Sequence, residues 1–215
     1  MFTGLIESIG IVRTVLRRTG ASGYSLTIDL GPIAKECKSG DSIAINGVCL
    51  TITKLDGSLA SFDLSAETLE KSTLGNLKFS SQVNIEQAMK PTDRFGGHFV
   101  MGHVDGIATV QSIERHSGFT DITFAARTEL LEAMVVKGSV AVDGVSLTIA
   151  SLNKADFNVA IIPETLKRTT LNKVNIGDFV NIEVDIIVKA VKRQLEKILP
   201  KTQPLTAERL KQLGF

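Results

Sequence analysis

The chain contains two copies of one domain-sized pattern. Three blocks recur, each displaced by 97 positions: GVCLTI at 47–52 and GVSLTI at 144–149, ETL at 67–69 and 164–166, and VNIE at 83–86 and 180–183. Solenoid repeats have periods of roughly 20–50 residues, so this longer period indicates one whole domain duplicated. Each copy is just large enough to bury a core of its own. Two similar domains provide two similar pockets, which suits an enzyme whose two substrates are the same molecule.

The composition is that of a soluble globular protein. Of 215 residues, 43% are hydrophobic and 22% are charged. The net charge of +1 gives no electrostatic support to nucleic acid or membrane binding. The start of the chain lacks the pattern of a signal peptide, and no apolar run approaches the ~18 residues of a membrane span. We therefore expect a cytoplasmic protein.

The only two cysteines are Cys37 and Cys49, both in the first copy. A structural disulfide should recur in both copies, and position 49 corresponds to Ser146 in the second. Both thiols are therefore predicted to be reduced.

Alternation of polar and apolar residues dominates both copies and predicts half-buried β-strands. The predicted strands lie at 25–30, 42–45, 48–53, 60–64, 121–125 and 157–161. Asn46-Gly47 and Asp143-Gly144 are typical hairpin turns. Short helices are predicted at 66–71 and 163–168, where Pro163 suits the first helical position.

About six strands in each copy favour closed barrels, which leave no exposed sheet edge. The predicted fold class is all-β: two tandem homologous six-stranded Greek-key β-barrels with short helices, followed by a C-terminal α-helix. The expected domains are residues 1–97, residues 98–186, and a helix and tail at 187–215.

The tail has helical spacing of apolar residues at Ile187, Val191, Leu195 and Ile198. One interpretation is a helix packed back on its own barrels. The other, which we favour, is an oligomerisation helix whose narrow apolar stripe meets other copies of itself. Pro200 is predicted to end the helix, and residues 201–215 carry little pattern.

Chemistry-bearing residues stand where the two copies differ. Cys49 and Ser146 exchange a thiol for a hydroxyl inside an otherwise repeated hexapeptide, although a small residue after a turn often only fills space. His103 replaces the Leu5 of the first copy, which suggests proton transfer near neutral pH. His98 is interpreted as a structural histidine of the glycine-rich junction. No spacing typical of a metal site or a phosphate loop occurs.

Five motifs in order resemble the riboflavin synthase family, alpha-chain type. They are the opening MFTGLIE, NGVCLT at 46–51, GGH at 96–98 through Gly102-His103, DGVSLT at 143–148, and IPETL at 162–166. The resemblance extends from residue 1 to about residue 199.

The resemblance implies a transferase that moves a four-carbon unit between two molecules of 6,7-dimethyl-8-ribityllumazine. The products are riboflavin and 5-amino-6-ribitylamino-uracil, and no metal or organic cofactor takes part. It also implies a homotrimer in which the N-terminal barrel of one subunit faces the C-terminal barrel of a neighbour. Association with lumazine synthase, the enzyme that makes the substrate, is left open by the sequence.

The resemblance also assigns residues to the two sites. Those implied to be catalytic are Ser146, Cys49, His103, Asp185, Ser42 and Thr148. Those implied to bind substrate are Gly4, Leu5, Ile6, Cys49, Leu50, Thr51, Asp63, Leu64, Ser65, Ala66, Glu67, Thr68, Gly102, His103, Val104, Lys137, Ser146, Leu147, Thr148, Ile162, Pro163, Glu164, Thr165 and Leu166. We place Ser146, Thr148 and Asp185 at the acceptor ring and Cys49, Ser42 and His103 on the donor side.

The competing class is a non-catalytic lumazine or flavin protein that serves as an optical antenna. In that class the GGH junction and the residues around the second LT pair are eroded, whereas here they are intact. The enzyme interpretation is therefore favoured.

Overall fold

The computed structural model describes residues 1–17 and 23–198, which form two closed antiparallel β-barrels in tandem. The strands of the first barrel are β1 (Ser8–Arg17), β2 (Gly23–Asp29), β3 (Ser42–Ile45), β4 (Val48–Asp56), β5 (Leu59–Ser65) and β6 (Gln82–Gln87). The strands of the second are β7 (Gly106–Arg115), β8 (Thr120–Ala125), β9 (Ser139–Val142), β10 (Val145–Leu152), β11 (Asp156–Ile161) and β12 (Phe179–Val184).

The two barrels share one topology. Around the first barrel the order is β1-β2-β5-β4-β3-β6, and around the second it is β7-β8-β11-β10-β9-β12. In each, three hairpin-connected strands and the strand before them form a Greek key, as in β2-β5-β4-β3. Even the irregularities repeat, because the register shifts at Val12/Thr14 and Ile52/Lys54 return at Val110/Ser112 and Ile149/Ser151. The predicted fold class is confirmed.

Alternation along the strands fills the barrel interiors. Each barrel has its own apolar core, with Phe62 fully buried in the first and Phe124 stacked against Phe157 in the second. A third, small cluster lies between the barrels and contains Phe2, Ala44, Val100 and Ala141. The two domains are therefore packed against each other through a core as well as through polar contacts.

Polar side chains of the repeated VNIE block join the barrels by pairs of equivalent hydrogen bonds. The side-chain amide of Asn84 donates to the Asp143 carbonyl (2.9 Å), and that of Asn181 donates to the Asn46 carbonyl (2.8 Å). All four residues are buried. Since each contact has its counterpart on the other barrel, an approximate twofold axis relates the two domains.

Two of the three short helices among the described residues fall where the sequence predicted them. The three helices are α1 (Ala66–Lys71), α2 (Thr128–Leu131) and α3 (Pro163–Arg168), with 3-10 turns at Gly31–Glu36, Thr73–Asn76 and Thr170–Lys173. The sequence predicted α1 and α3 but not α2. Pro163 occupies the start of α3, where its missing N–H leaves no helical hydrogen bond unmade.

The C-terminal helix α4 (Ile186–Ile198) lies beside the second barrel and is held there by two ion pairs. Lys189 binds Asp105 (2.8 Å) and Lys192 binds Glu132 (3.4 Å). None of its side chains is buried. Pro200 and the predicted tail at 201–215 lie outside the described residues. Within the described part of the chain, no helix is both long and apolar enough to cross a membrane.

Candidate functional site

The first candidate site lies on the outer surface of the first barrel, along β4. Leu50 and Ile52 enter the core, whereas Cys49 is half-buried and Thr51 is exposed on the opposite face. Ser42 pairs with Thr51 across the β3–β4 ladder and therefore belongs to the same face. Strand alternation and the β3–β4 pairing therefore place three predicted residues, Ser42, Cys49 and Thr51, on one face.

A segment that precedes the second barrel completes this first site. The Gly102 carbonyl accepts a hydrogen bond from the Cys49 backbone N–H (2.9 Å), so the chain at 100–103 runs along β4. His103 follows and is exposed, and Val104 packs against the core of the first barrel. The site thus combines the β4 strand of one barrel with a segment belonging in sequence to the other.

The second candidate site repeats this arrangement on the second barrel. Ser146 and Thr148 lie on the outer face of β10, and the Gly4 carbonyl accepts a hydrogen bond from the Ser146 backbone N–H (2.8 Å). Leu5 follows and is half exposed, and Ile6 packs against the core of the second barrel. Cys49 and Ser146, and His103 and Leu5, therefore occupy equivalent places in three dimensions.

His98 belongs to the second site, which its sequence position did not show. Its Nδ1 lies 2.7 Å from Ser146 Oγ, and its buried Nε2 has no hydrogen-bond partner among the described residues. Burial lowers the pKa of His98 below its ordinary value, and the negative charge of Asp185 opposes this shift in part. The ring is therefore neutral near pH 7 and can accept or donate a hydrogen bond at Ser146. The interpretation of His98 as a junction residue left this contact out.

Asp185 and Lys137 also lie around the second barrel, with different surroundings. Asp185 Oδ1 accepts the Ile187 backbone N–H (2.9 Å), so this carboxylate caps α4 as well as influencing His98. Lys137 is exposed and has a positive φ of 66°, in the turn just before β9. Its backbone N–H donates to the Ile149 carbonyl (2.9 Å). This bond fixes the turn, and the side chain is exposed to solvent.

The predicted ribityl-binding segments lie beside these strands. Ser65 caps α1 by accepting the Thr68 backbone N–H (3.1 Å), and Glu67 pairs with Lys71. On the second barrel Glu164 pairs with Arg168 in α3. The remaining members are exposed or half-buried along the ends of β5 and β11 and the helices that follow: Asp63, Ala66, Ile162, Pro163, Thr165 and Leu166.

Three predicted binding residues turn their side chains away from the surface. Leu50, Leu64 and Leu147 are buried in the barrel cores, so only their backbone groups face the strand exterior. A cleft of about 1270 Å³ lies between the barrels near Asn46 and Asp143 and contains none of the predicted site residues. Both candidate sites are open surfaces in the single chain. Among the described residues, no three His, Cys, Asp or Glu side chains group as a metal site.

Two parts of the chain, residues 3–88 and 101–185, each match the model of the lumazine binding domain. The crystal structure of LumP complexed with riboflavin superposes with a TM-score of 0.79 at 21% sequence identity, over 86% of this chain and 99% of that one. At this identity the likeness shows the fold alone. The chain is thus a protein of two tandem lumazine binding domains.

Relatives that match over nearly the whole chain show which family of lumazine binding proteins this chain belongs to. The riboflavin synthase of Bacillus amyloliquefaciens is 41% identical over 197 residues, 92% of this chain and 91% of its own length. That of Actinobacillus pleuropneumoniae is 38% identical over 218 residues and covers 100% of both chains. The chain belongs to the riboflavin synthase family, which confirms the resemblance recognised in the sequence.

Proposed function

We propose that the protein catalyses the dismutation of two molecules of 6,7-dimethyl-8-ribityllumazine to riboflavin and 5-amino-6-ribitylamino-uracil. The observation that supports this most strongly is the pair of equivalent sites that share a backbone framework but differ in their polar groups. A reaction in which one lumazine gives a four-carbon unit and another accepts it requires such a pair. The relatives named riboflavin synthase support the same activity.

The chemistry requires proton transfers at two differently used rings. The electron-poor ring of the donor makes its 7-methyl group acidic, so a carbanion forms there when a base removes a proton. The acceptor ring must add a nucleophile at a ring carbon. Hydroxyl, thiol and imidazole groups held beside each ring can transfer these protons, and stacking of the rings supplies proximity.

We assign Cys49, Ser42 and His103 to the donor side and Ser146, Thr148 and Asp185 to the acceptor side. The contact between His98 and Ser146 adds a neutral imidazole to the acceptor side. In the tautomer with the proton on Nε2, Nδ1 accepts a hydrogen bond from the Ser146 hydroxyl. The lone pairs of Oγ then remain free to accept a hydrogen bond from a nucleophilic water. Backbone groups at Gly4-Leu5-Ile6 and at Gly102-His103-Val104 would orient the pyrimidine edge of each ring.

We further propose a homotrimer in which α4 joins the subunits. The apolar stripe of Ile187, Val191, Leu195 and Ile198 is 49% to 75% exposed in the single chain. Because each site is an open surface, a neighbouring barrel would close it and bring two rings together. A cytoplasmic location remains a prediction from the sequence, which leaves association with lumazine synthase open.

The activity is tested by incubating the purified protein with 6,7-dimethyl-8-ribityllumazine alone and following riboflavin absorbance and fluorescence. Riboflavin should form, with the uracil product in equal amount, after treatment of the protein with a chelator and without added cofactor. Tight binding with altered lumazine fluorescence but no riboflavin would contradict the enzyme and favour an antenna protein.

A further inference from the structure

Two short segments cross between the barrels. Residues 2–5 precede the first barrel but pair with β10 of the second, and residues 100–103 precede the second barrel but pair with β4 of the first. The segments also pair with each other, through two hydrogen bonds between Phe2 and Val100 of 2.7 and 3.1 Å. We call them the crossing segments.

A buried glutamate at the end of each barrel's last strand holds one crossing segment. Glu86, on β6, is 3% exposed and accepts hydrogen bonds from the backbone N–H groups of Thr3 (2.6 Å) and Gly4 (2.9 Å) and from the Thr3 hydroxyl (2.7 Å). A carboxylate can accept several such bonds at once, which fixes both partners in place.

Glu183 does the same for the other segment. It is 2% exposed on β12 and accepts the backbone N–H groups of Met101 (2.6 Å), Gly102 (2.9 Å) and His103 (3.0 Å). Both glutamates come from the repeated VNIE block, where a charged residue interrupts an otherwise buried strand end. Burying a carboxylate is costly, and these backbone bonds offset that cost.

The segments are packed too tightly against the sites to move independently of them. A Cβ built on Gly4 would lie 2.6 Å from Ser146 Cβ, and one built on Gly102 would lie 2.4 Å from Cys49 Cβ. A displacement of either segment must therefore displace Ser146 or Cys49, or break the hydrogen bond between the segment's glycine carbonyl and that residue's backbone N–H.

We propose that each glutamate is a positioning residue for the site on the opposite barrel. Glu86 of the first barrel positions the site at Ser146, and Glu183 of the second positions the site at Cys49. This inference rests on the proposed function, because it takes the two faces to be ligand sites.

The test uses one reporter thiol in each site. In the full-length Cys37→Ser protein, Cys49 is the sole thiol; in the Cys37→Ser, Cys49→Ser, Ser146→Cys protein, the sole thiol lies in the second site. The rate of iodoacetamide alkylation is measured against riboflavin concentration, which gives an apparent Kd for each site without turnover.

Glu86→Gln should weaken riboflavin protection at position 146 at least 10-fold and at position 49 less than 3-fold. Glu183→Gln, its matched control, should show the reverse. Equal weakening at both thiols, or weakening on the glutamate's own barrel, would overturn the proposal. Absence of protection in the parent reporters would instead contradict the proposed function.

A milder variant tests the role of Glu86 if the Glu86→Gln protein does not fold. Thr3→Val keeps the shape of the side chain and the buried carboxylate but removes the hydroxyl bond to Glu86 and the 3.3 Å bond from the Leu5 N–H. It should weaken protection at position 146 about 3-fold and leave position 49 unchanged. An unchanged position 146 in this folded protein would refute the role of Glu86.

Discussion

His103 and Leu5 occupy the same place in the two copies, each directly after a glycine with φ 78°. The imidazole is exposed beside the Cys49 face, where it can exchange a proton with a bound ligand. His103→Leu gives the second copy the side chain of the first, so shape is kept and proton transfer is lost. We expect turnover to fall roughly 10²-fold, as for loss of a general acid or base, with little change in riboflavin affinity.

The measurement is the rate of riboflavin formation together with riboflavin binding by fluorescence quenching. His116→Leu is the control, because it removes an imidazole from the β7–β8 hairpin at a residue assigned to neither site. A His103→Leu protein as fast as the parent would remove this residue from the mechanism.

Asp143 makes the stability of the protein depend on pH. Burial raises the pKa of Asp143 to about 7, from an ordinary value of 3.8. Between these values the folded chain keeps a proton that the unfolded chain has lost, so the free energy of unfolding falls as pH rises from about 4 to 7. At ~1.4 kcal/mol for each pKa unit, the loss is at most about 4 kcal/mol.

Asp143→Asn should remove this loss, because the equivalent Asn46 accepts the same type of backbone bond in the first copy. Urea unfolding at pH 5 and pH 8 measures the difference between variant and parent. Asn46→Asp is the reciprocal control and should steepen the dependence. If Asp143→Asn and the parent lose stability equally over this range, Asp143 is not the group that titrates.

Local sequence patterns indicate which residues are candidates for the sites, but they do not show which contacts those residues make. Alternation along β4 and β10 explains why Cys49, Thr51 and Ser146 lie on barrel surfaces, and the repeat placed Leu5 opposite His103. The contact of His98 with Ser146 spans 48 residues and depends on how the barrels dock, which no local pattern contains. The glutamates could have been found, because VNIE keeps a charge at a buried strand end in both copies.

The hairpin elements at Asn46-Gly47 and Asp143-Gly144 also bring the backbones of the two barrels into close contact. Their φ angles of 45° and 77–79° are those of the tight turn that the sequence predicted. A Cβ on Gly47 would lie 2.7 Å from the Gly144 backbone nitrogen. These glycines therefore satisfy both the turn and the interface, and only the first of these requirements is visible in the sequence.

Gly47→Ala should destabilise the protein for two reasons. The left-handed φ costs an L-residue roughly 1–2 kcal/mol, and overpacking at the interface adds roughly 1–3 kcal/mol. Gly57→Ala is the matched control, with a φ of 60° and no atom of the described residues within 4 Å of the added Cβ. Urea unfolding of both proteins isolates the interface contribution as their difference. Equal losses of stability would show that the interface tolerates the methyl group.

Across the whole molecule, the backbone contacts are the same in both copies, whereas the polar side chains at the two candidate sites differ between the copies. The approximate twofold axis requires the same backbone contacts on both sides, so the crossing segments, glutamates and turns are repeated. Side chains facing outward from β4 and β10 are free of that requirement. This is why the sequence differs there, and why the two sites can perform different halves of one reaction.

The proposed trimer follows from α4, which has no counterpart after β6 in the described part of the first copy. Ion pairs from Lys189 and Lys192 fix α4 to the second barrel and turn its apolar stripe outward. Replacing Val191 and Leu195 by serine should lower the mass in light scattering from three subunits towards one. Turnover should fall with it, because a site pair shared between subunits is lost. Arg193→Ser with Glu196→Ser is the control on the other side of the helix and should remain trimeric. A stripe variant that is still trimeric and fully active would show that α4 does not join the subunits.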